Sequence, residues 1–375
     1  MHVTVSKKDL LRLLGRCQGV ADKKSTMPVL GNVLIEVQSP ESIRLAATDL
    51  YLSVSGSIPA HVEQGGSIAV AAKPLFERVK MMPEGNISIA TDDSGTTTLR
   101  AMGQPRRYTL HGIPGSEFPV LPEPSKGTEV VKLSVELGSL LISSTYFSIS
   151  SDETRLHLNS ALFEWDGKKV RMVTTDGHRL SKMEATAGQQ GSLSMLIPLK
   201  GVMELKRLCE EARAEGVTEL ELCRSGPNAF FRLGGVQFGV KLVDAQFPPY
   251  DQVIPTGTSS VIRAPRSPVA DALRAVSLAA SDRTGGVKVS MDRGVMRFAS
   301  ESPESGDGFD EVPVDYSSDP MTVGFNAKYF LDVLGAIDGE ELLLGISGEL
   351  DPAVIRPAAD RQGTEYLAVI MPMRI

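Results

Sequence analysis

The chain has 375 residues, of which 42% are hydrophobic and 23% are charged, and its formal net charge at pH 7 is −7. These proportions are ordinary for a globular protein and argue against disorder. Because no window approaches 18 uninterrupted apolar residues and the N-terminus lacks a signal-peptide core, we expect a cytoplasmic protein with no membrane partner. A prior of roughly 150 residues per domain predicts two or three domains.

Cys17, Cys209 and Cys223 are few, odd in number and far apart. This pattern predicts free, buried thiols in a reducing compartment, and not a disulfide frame or a zinc site. The five histidines show no metal-ligand spacing, and the sequence has no glycine-rich phosphate loop. We therefore expect no cofactor, no catalytic residues and no enzymatic activity. A hydrolase that uses Asp176 and His178, two residues apart, stays open as an alternative.

Three similar units follow one another, and each opens with a strand and a helix. Ser6 predicts the N-cap of a helix over residues 7–20, whose leucines form one apolar face. Ser134 predicts the cap of a second such helix, and Ser267-Pro268 predicts the start of a third, with Pro at the first helical position. Each unit then contains hairpin strands and a second helix that begins at a lysine. These lysines are Lys73, Lys200 and Lys328.

The units repeat at a nearly constant offset. The second-helix lysines are 127 and 128 residues apart, and 175 − 48 = 127 residues separate Thr48 of a TDL from Thr175 of a TDG. Shared offsets of this kind predict a threefold internal repeat. Proline-rich links follow Phe118-Pro119 and Phe247-Pro248, which predicts boundaries near 125 and 255. The predicted α+β domains are 1–125, 126–255 and 256–375.

The stretch Val173–Leu180 (VTTDGHRL) is the most informative in the chain. The residues before it alternate between charged and apolar types, which predicts a half-buried strand. Asp176-Gly177 supplies a tight turn, because Gly tolerates positive φ, and His178, Arg179 and Leu180 then open the return strand. The pattern is typical of a surface hairpin, but it also fits a turn that lines a binding site.

At these residues the chain resembles the bacterial β sliding clamp family, the processivity subunits of replicative DNA polymerases. The resemblance implies the DNA-clamp fold, with three repeated domains per chain, a head-to-tail homodimeric ring, helices that line the hole and sheets outside. It also implies that the partner is duplex DNA, which the ring encircles without sequence preference. The motifs that carry it, in order, are PVLGN (Pro28–Asn32), TTDGHRL, KLVDAQFPPY (Lys241–Tyr250), GFNAKYFLDVL (Gly324–Leu334) and MPMRI (Met371–Ile375).

The resemblance further implies a pocket between the second and third domains. There the polymerase and the clamp loader would insert a short peptide with a Gln and a Leu-Phe-type end. Composition alone favours ordinary core residues at these positions, although Met suits a pocket with varied partners. The chain departs from the family at Ile375, usually Leu, and at Gln252, Arg in some relatives; we expect both to tune affinity. The implied pocket residues are Leu158, Thr175, Gly177, His178, Arg179, Leu180, Pro248, Val253, Asn326, Tyr329, Val369, Ile370, Met371, Pro372, Met373 and Arg374.

The helices are more basic than the strands and loops, which is compatible with ordinary solvated surfaces or with a shared face toward a polyanion. No helix-turn-helix signature or aromatic-rich basic stripe occurs, so we expect phosphate contact and no base readout. The predicted DNA-contacting residues are Lys23, Lys24, Lys73, Lys200 and Arg207.

The alternation in residues 106–110 (RRYTL) predicts an exposed edge strand. Because the unpaired backbone groups of such an edge favour aggregation, we expect another element to cover it. The resemblance pairs this edge with the third domain of a second subunit, where acidic residues would offset the arginines; alternatively, Glu301–Glu311 is a mobile solvated loop. The predicted seam residues are Arg106, Arg107, Tyr108, Leu110, Leu278, Glu301 and Glu304. A monomeric tandem-domain scaffold that binds peptides without DNA is the alternative to the ring.

Overall fold

The computed structural model describes residues 1–281 and 284–374, so Ile375 lies outside the described residues. The helices of this part of the chain are α1 (Lys7–Val20), α2 (Ala72–Lys80), α3 (Val135–Ser143), α4 (Leu199–Ala214), α5 (Arg266–Ser277) and α6 (Ala327–Ala336).

Groups of strands lie between most of these helices in the described part of the chain. They are β1 (His2–Ser6), β2 (Asn32–Ser39), β3 (Ser42–Thr48), β4 (Leu52–Gln64), β5 (Ser67–Ala71), β6 (Asn86–Thr91), β7 (Thr96–Ala101), β8 (Arg107–Pro114), β9 (Val131–Ser134), β10 (Ser160–Thr175), β11 (Arg179–Pro198), β12 (Glu219–Ser225), β13 (Asn228–Leu233), β14 (Val236–Lys241), β15 (Ser260–Pro265), β16 (Gly286–Asp292), β17 (Val295–Ser302), β18 (Gly306–Pro313), β19 (Met321–Asn326), β20 (Glu341–Ile346), β21 (Ala353–Pro357) and β22 (Thr364–Ile370).

The chain packs into two compact units, each built from two segments. Unit 1 comprises Met1–Glu136 and Met203–Leu242, and unit 2 comprises Leu137–Val202 and Val243–Ile375. These two units are defined by contacts between residues. The predicted domain boundaries at 125 and 255 are defined by the internal sequence repeat. The boundaries therefore stay a prediction.

Unit 1 contains one antiparallel sheet of twelve strands in the order β1-β6-β7-β8-β5-β2-β3-β4-β14-β13-β12-β9. Strand β1 pairs with both β6 and β4, so the strands β1 to β8 form a closed circuit of hydrogen-bonded neighbours. The apolar face of α1 packs against β3 and β4, with Leu10, Leu14 and Cys17 buried. The Ser6 side chain accepts a hydrogen bond from the Asp9 N–H at 3.5 Å, which confirms the predicted N-cap.

Unit 2 contains a six-stranded sheet, β10-β11-β22-β21-β20-β15, and a four-stranded sheet, β18-β17-β16-β19. Helix α5 packs against α6 and against β16 to β18. The core of this region includes fully buried Phe298, Phe325 and Phe330. Two isolated bridges, Arg263↔Asp315 and Gly324↔Met373, add backbone contacts outside the named strand pairs.

The second helix of each repeat begins one residue before its lysine, at Ala72, Leu199 and Ala327. The predicted start of α5 was wrong, because this helix begins at Arg266 after an N-cap at Pro265. Pro268 is thus the third helical residue and not the first. A proline fits there because the N–H groups of the first turn have no intrahelical partner to lose.

All three cysteines are free and buried, as predicted. Burial raises the pKa of the Cys17 and Cys209 thiols to about 12 in each case. Both thiols are therefore protonated at neutral pH, and they behave as small apolar core groups. Within the described ranges, no cluster of His, Cys, Asp and Glu is arranged to hold a metal ion. None of the described helices is long and apolar enough to cross a membrane.

Candidate functional site

Strands β10 and β11 are joined by a turn whose geometry is set by two short polar side chains. Asp176 Oδ1 accepts hydrogen bonds from the backbone N–H groups of His178 and Arg179, at 2.9 and 3.0 Å. The Thr175 hydroxyl donates to the Arg179 carbonyl at 2.7 Å. Gly177 has φ +93°, a region that favours glycine. The tip is therefore Gly177-His178, one residue later than predicted, because the Asp176 carboxylate starts the turn instead of forming its tip.

The side chain of Arg179 is buried at the base of this turn, with 7% of its surface exposed. Its Nε donates to Asp176 Oδ2 at 3.0 Å and its Nη1 donates to Asp332 Oδ2 at 2.6 Å. Its Nη2 donates to the Phe147 carbonyl. The guanidinium carbon lies 4.3 Å from the Tyr329 ring centroid and 5.6 Å from that of Phe147. This buried cation is thus paired on every nitrogen, which the cost of burying charge requires.

Sequence reasoning identified Arg179 and Tyr329 but missed Asp332 and Phe147. Asp332 belongs to the motif GFNAKYFLDVL and lies four residues after Lys328. This spacing could have been used to predict on which face of the helix Asp332 lies. Nothing in the local sequence marks the Phe147 carbonyl as an arginine partner. That contact depends on the short helical turn Tyr146–Ser148, which packs beside β11.

His178 and Met371 are exposed at the turn, and half-buried Tyr329 lies beside His178. The His178 and Tyr329 rings stack, with centroids 6.4 Å apart and an interplanar angle of 23°. The Met371 N–H donates to the His178 carbonyl at 2.8 Å, which fixes the segment after β22 against the turn. Asn326 caps α6 by accepting the Tyr329 N–H at 3.2 Å. The structure therefore brings together four of the predicted pocket residues.

Behind this surface lies an apolar cluster. Leu180 and Val369 are cross-strand partners in the pairing of β11 with β22, and both are buried. Leu158 and Ile370 are buried as well, so these four can form the floor of a pocket but offer little surface to a ligand. The cluster consists of Leu162, Val173, Leu180, Leu196, Phe247, Tyr250, Val354, Leu367 and Val369, with Val243 and Ile254 packed against it.

The linker that follows β14 is anchored to β10 through Tyr250. The Tyr250 hydroxyl donates to Glu164 Oε2 at 3.3 Å and accepts from Arg171 Nη1 at 3.3 Å. Its ring meets Phe247 edge-on at 6.3 Å. Burial raises the pKa of the Tyr250 hydroxyl, so it is a neutral donor at physiological pH. This anchor leaves Val253 of the same linker exposed and Pro248 half-buried.

The last described residues run from the turn toward β19. The Met373 N–H donates to the Gly324 carbonyl at 2.9 Å. Met373 and Arg374 line a cavity of about 630 Å³ together with Glu301 and Phe309. The contacts described for these two predicted pocket residues are therefore with β19 and this cavity, while Pro372 between them and Met371 is half-buried.

The lysines predicted to contact DNA are all exposed. Lys23 and Lys24 lie in the loop after α1, and Lys73 and Lys200 are each the second residue of a helix. Lys73 lies 3.7 Å from Glu77, an exposed pair of the kind that contributes little energy.

Arg207 has a different environment, which sequence reasoning did not foresee. Its guanidinium contacts the carboxylates of Glu204 and Glu211 and donates to the Arg16 carbonyl at 3.2 Å. Arg16 itself is buried and pairs with Glu211 at 3.2 Å and Glu215 at 2.7 Å. Two carboxylates therefore compensate the charge of Arg207, and its bond to the Arg16 carbonyl joins α4 to α1.

The predicted seam residues lie at β8, at the end of α5 and in the β17–β18 hairpin. Residues 107–111 pair with β7, and β5 pairs with β8 at residues 112–114, so among the described pairings one edge of 107–111 is open. Tyr108 is half-buried, but Leu110 is buried within its own unit. Leu110 therefore offers little apolar surface to a partner, and its place in the seam stays a prediction.

The acidic segment Glu301–Glu311 is the β17–β18 hairpin, so the alternative of a mobile loop was wrong. Glu301 and Glu304 are both exposed on it. Strand β18 is an edge of its sheet. Leu278 is 82% exposed and Phe309 is 62% exposed, so both apolar side chains are available for a contact. Sequence reasoning missed Phe309, although an aromatic residue among acidic ones (GDGFDE) was a usable signal.

Comparison with known proteins places the chain in a family. Models of the DNA polymerase III beta subunit match in order: its N-terminal domain over residues 1–122, its central domain over 133–249 and its C-terminal domain over 251–374. The beta sliding clamps of Pseudomonas putida and Escherichia coli are each 30% identical to this chain, over 379 and 377 residues, with 100% of both chains covered.

Solved structures agree with this comparison. The sliding clamp of Pseudomonas aeruginosa with a ligand matches with a TM-score of 0.92 and 29% identity, and 100% of both chains is covered. The clamp of Bartonella birtlesii bound to griselimycin matches with a TM-score of 0.92 and 32% identity, again over 100% of both chains. The fold is therefore the three-domain, mixed α+β clamp fold predicted from the sequence, and the chain belongs to the family of bacterial beta sliding clamps, the DNA polymerase III beta subunits.

Proposed function

We propose that this chain is a sliding clamp that encircles duplex DNA and tethers the replicative polymerase and other DNA-processing proteins. The observation that carries the proposal is the match of all three clamp-domain models, in order, along one chain. A closed ring retains DNA by topology, so weak phosphate contacts suffice and sliding stays easy. The protein would act in the cytoplasm, where its three thiols stay reduced.

The clamp itself would perform no chemistry, and ATP would be used by the loader. Asp176 is occupied by two backbone N–H groups and by Arg179, and the His178 ring stacks on Tyr329. A general base must reach the proton that it abstracts, and Asp176 is turned inward to its own turn. The geometry therefore gives no support to the hydrolase alternative.

The turn and its neighbours would receive the peptide of a partner. Val253, His178 and Met371 are exposed around the buried floor formed by Leu180 and Val369. Exposed apolar side chains above an apolar floor, with polar backbone at the rim, suit a short peptide that has apolar anchors. Met371 adds a side chain that repacks easily, as a site with several partners needs. Both the polymerase and the clamp loader would use this site.

The DNA-facing residues in this proposal are Lys23, Lys24, Lys73 and Lys200, all on helices or on the loop after α1. Arg207 is left out, because Glu204 and Glu211 compensate its charge. Contacts from flexible lysines to phosphate are independent of sequence, which a sliding protein requires.

Two subunits would join head to tail through the open edges of β8 and β18. Exposed Arg106 and Arg107 accompany one edge, and Glu301 and Glu304 accompany the other. Leu278, Phe309 and half-buried Tyr108 would supply the apolar centre that a stable interface needs. An uncovered edge with exposed apolar residues is otherwise a liability in solution.

Retention on DNA separates the ring from a monomeric peptide-binding scaffold. We expect the protein, once loaded on nicked circular DNA, to co-elute with the circle in gel filtration and to dissociate after the circle is cut linear. Blocking both ends of the linear DNA should restore retention. Equal retention on circular and open linear DNA would contradict topological binding.

The double variant Val253→Ala, Met371→Ala should bind a peptide with a Gln and a Leu-Phe-type end more weakly by about 2 kcal/mol or more, because two apolar contacts are lost. Fluorescence anisotropy measures this affinity. The matched control is Val130→Ala, Met102→Ala, which truncates an exposed Val and an exposed Met of unit 1 and should bind as the wild type does. Equal losses in both variants would place the peptide elsewhere.

Changing Lys24, Lys73 and Lys200 to Gln should lower the salt dependence of DNA binding, with the slope of log K against log salt falling by about one per residue. Lys168→Gln, an exposed lysine on β10, is the control and should leave the slope unchanged. Titrations at several salt concentrations give the slopes. An unchanged slope in the triple variant would remove these lysines from the DNA surface.

Leu278→Asp should convert the dimer to a monomer, because a charge in an apolar interface costs several kcal/mol unless it finds a partner. Sedimentation at micromolar concentration should then give half the wild-type mass. Leu350→Asp is the control, since Leu350 is 69% exposed but lies off the β8 and β18 edges. A dimeric Leu278→Asp protein would show that the seam lies elsewhere.

A further inference from the structure

We propose that Asp332 is a positioning residue of the peptide site: it holds Arg179 against α6 and thereby keeps the β10–β11 turn in the form that accepts peptide. Asp332 is half-exposed on α6 and would act through Arg179. The inference rests on the proposed peptide binding at this turn and adds a residue that sets its affinity.

The first repeat shows that the turn itself does not need an arginine. There the Thr48 hydroxyl donates to the Leu52 carbonyl at 2.7 Å. Asp49 Oδ1 accepts the N–H groups of Tyr51 and Leu52 at 2.9 and 2.6 Å. Leu50 at its tip has φ +76°, as Gly177 has φ +93° in the second repeat. The same Thr-Asp turn therefore forms with a leucine, Leu52, at the position that Arg179 occupies.

The repeat extends to the strand that follows. The Lys241 N–H donates to the Tyr51 carbonyl at 2.8 Å, as the Met371 N–H donates to the His178 carbonyl at 2.8 Å. Since turn and neighbouring strand form without an arginine in the first repeat, the contacts of Arg179 serve a purpose beyond local folding.

The Arg179 guanidinium joins three separate segments of unit 2. Its three nitrogens reach the turn through Asp176, the segment before β10 through the Phe147 carbonyl, and α6 through Asp332. Its face lies on Tyr329, whose ring stacks on His178. Asp332 is thus linked to the exposed His178 by a chain of contacts that runs through Arg179 and then Tyr329.

Loss of the Asp332 carboxylate would leave Arg179 with Asp176 and the Phe147 carbonyl, so the turn would still form. The guanidinium would no longer be fixed to α6, so Tyr329, which lies on it, and His178, which stacks on Tyr329, would sample more positions. When a smaller fraction of molecules has the binding geometry, the apparent dissociation constant rises by the reciprocal of that fraction.

The test uses the full-length protein and a fluorescent peptide with a Gln and a Leu-Phe-type end. Asp332→Asn should raise the dissociation constant by about tenfold, because the ion pair with Arg179 becomes a weaker contact between the guanidinium and a neutral amide. Asp338→Asn, an exposed carboxylate just after α6, should bind as the wild type does. Asp332→Glu, which keeps the charge, should recover part of the affinity.

A double-mutant cycle shows whether the effect passes through Arg179. In an Arg179→Leu background, which copies the first repeat, Asp332→Asn should cause no further loss. A structural role alone would lower the melting temperature without this non-additivity. Wild-type affinity in Asp332→Asn, or multiplied losses in the double variant, would overturn the inference while leaving peptide binding intact. A wild-type protein that binds no peptide would overturn both.

Discussion

The need to compensate one buried cation constrains the region around the candidate peptide site. Arg179 is almost fully enclosed, and a guanidinium in such a place is tolerated when each of its nitrogens has a partner. Its partners come from Asp176, Phe147 and Asp332, which are separated by up to 185 residues along the chain (332 − 147). Their positions are coupled, because moving any of them leaves one guanidinium nitrogen without its partner. The turn that carries His178 is thereby fixed to two other parts of unit 2.

The internal repeat shows which residues distinguish the turn of the candidate site from its counterpart in the first repeat. Both turns share a Thr and an Asp with the same backbone hydrogen bonds. They differ where Arg179 replaces Leu52 and where His178 replaces Tyr51. A repeated scaffold therefore supplies the geometry, and a few substitutions in one copy supply the charge and the aromatic stack. The lysine at the second position of α2, α4 and α6 shows the opposite case, a feature retained in all three copies.

Features that depend on short stretches were predictable from the sequence. The Ser6 cap, the repeated second helices, the hairpin around Gly177 and the buried thiols follow from local patterns of polarity and turn residues. The missed features depend on packing between distant segments. Leu110 alternates like an edge residue but is buried in its own unit, and Arg207 looks like a phosphate ligand but is matched by Glu204 and Glu211. Local alternation identifies a strand face, but it does not say what covers that face.

An acidic chain is an unexpected partner for DNA, yet its charge distribution makes the proposal consistent. The net charge is −7. Some of the arginines are paired with carboxylates of the same chain: Arg16 and Arg207 contact Glu204, Glu211 and Glu215. A protein that holds DNA by affinity would need those cations free, because affinity grows with the number of phosphates neutralised. A protein that holds DNA by enclosure needs few contacts, and each additional one would slow its sliding. Weak, sparse lysine contacts on an acidic chain are therefore sufficient for the topological retention that we propose.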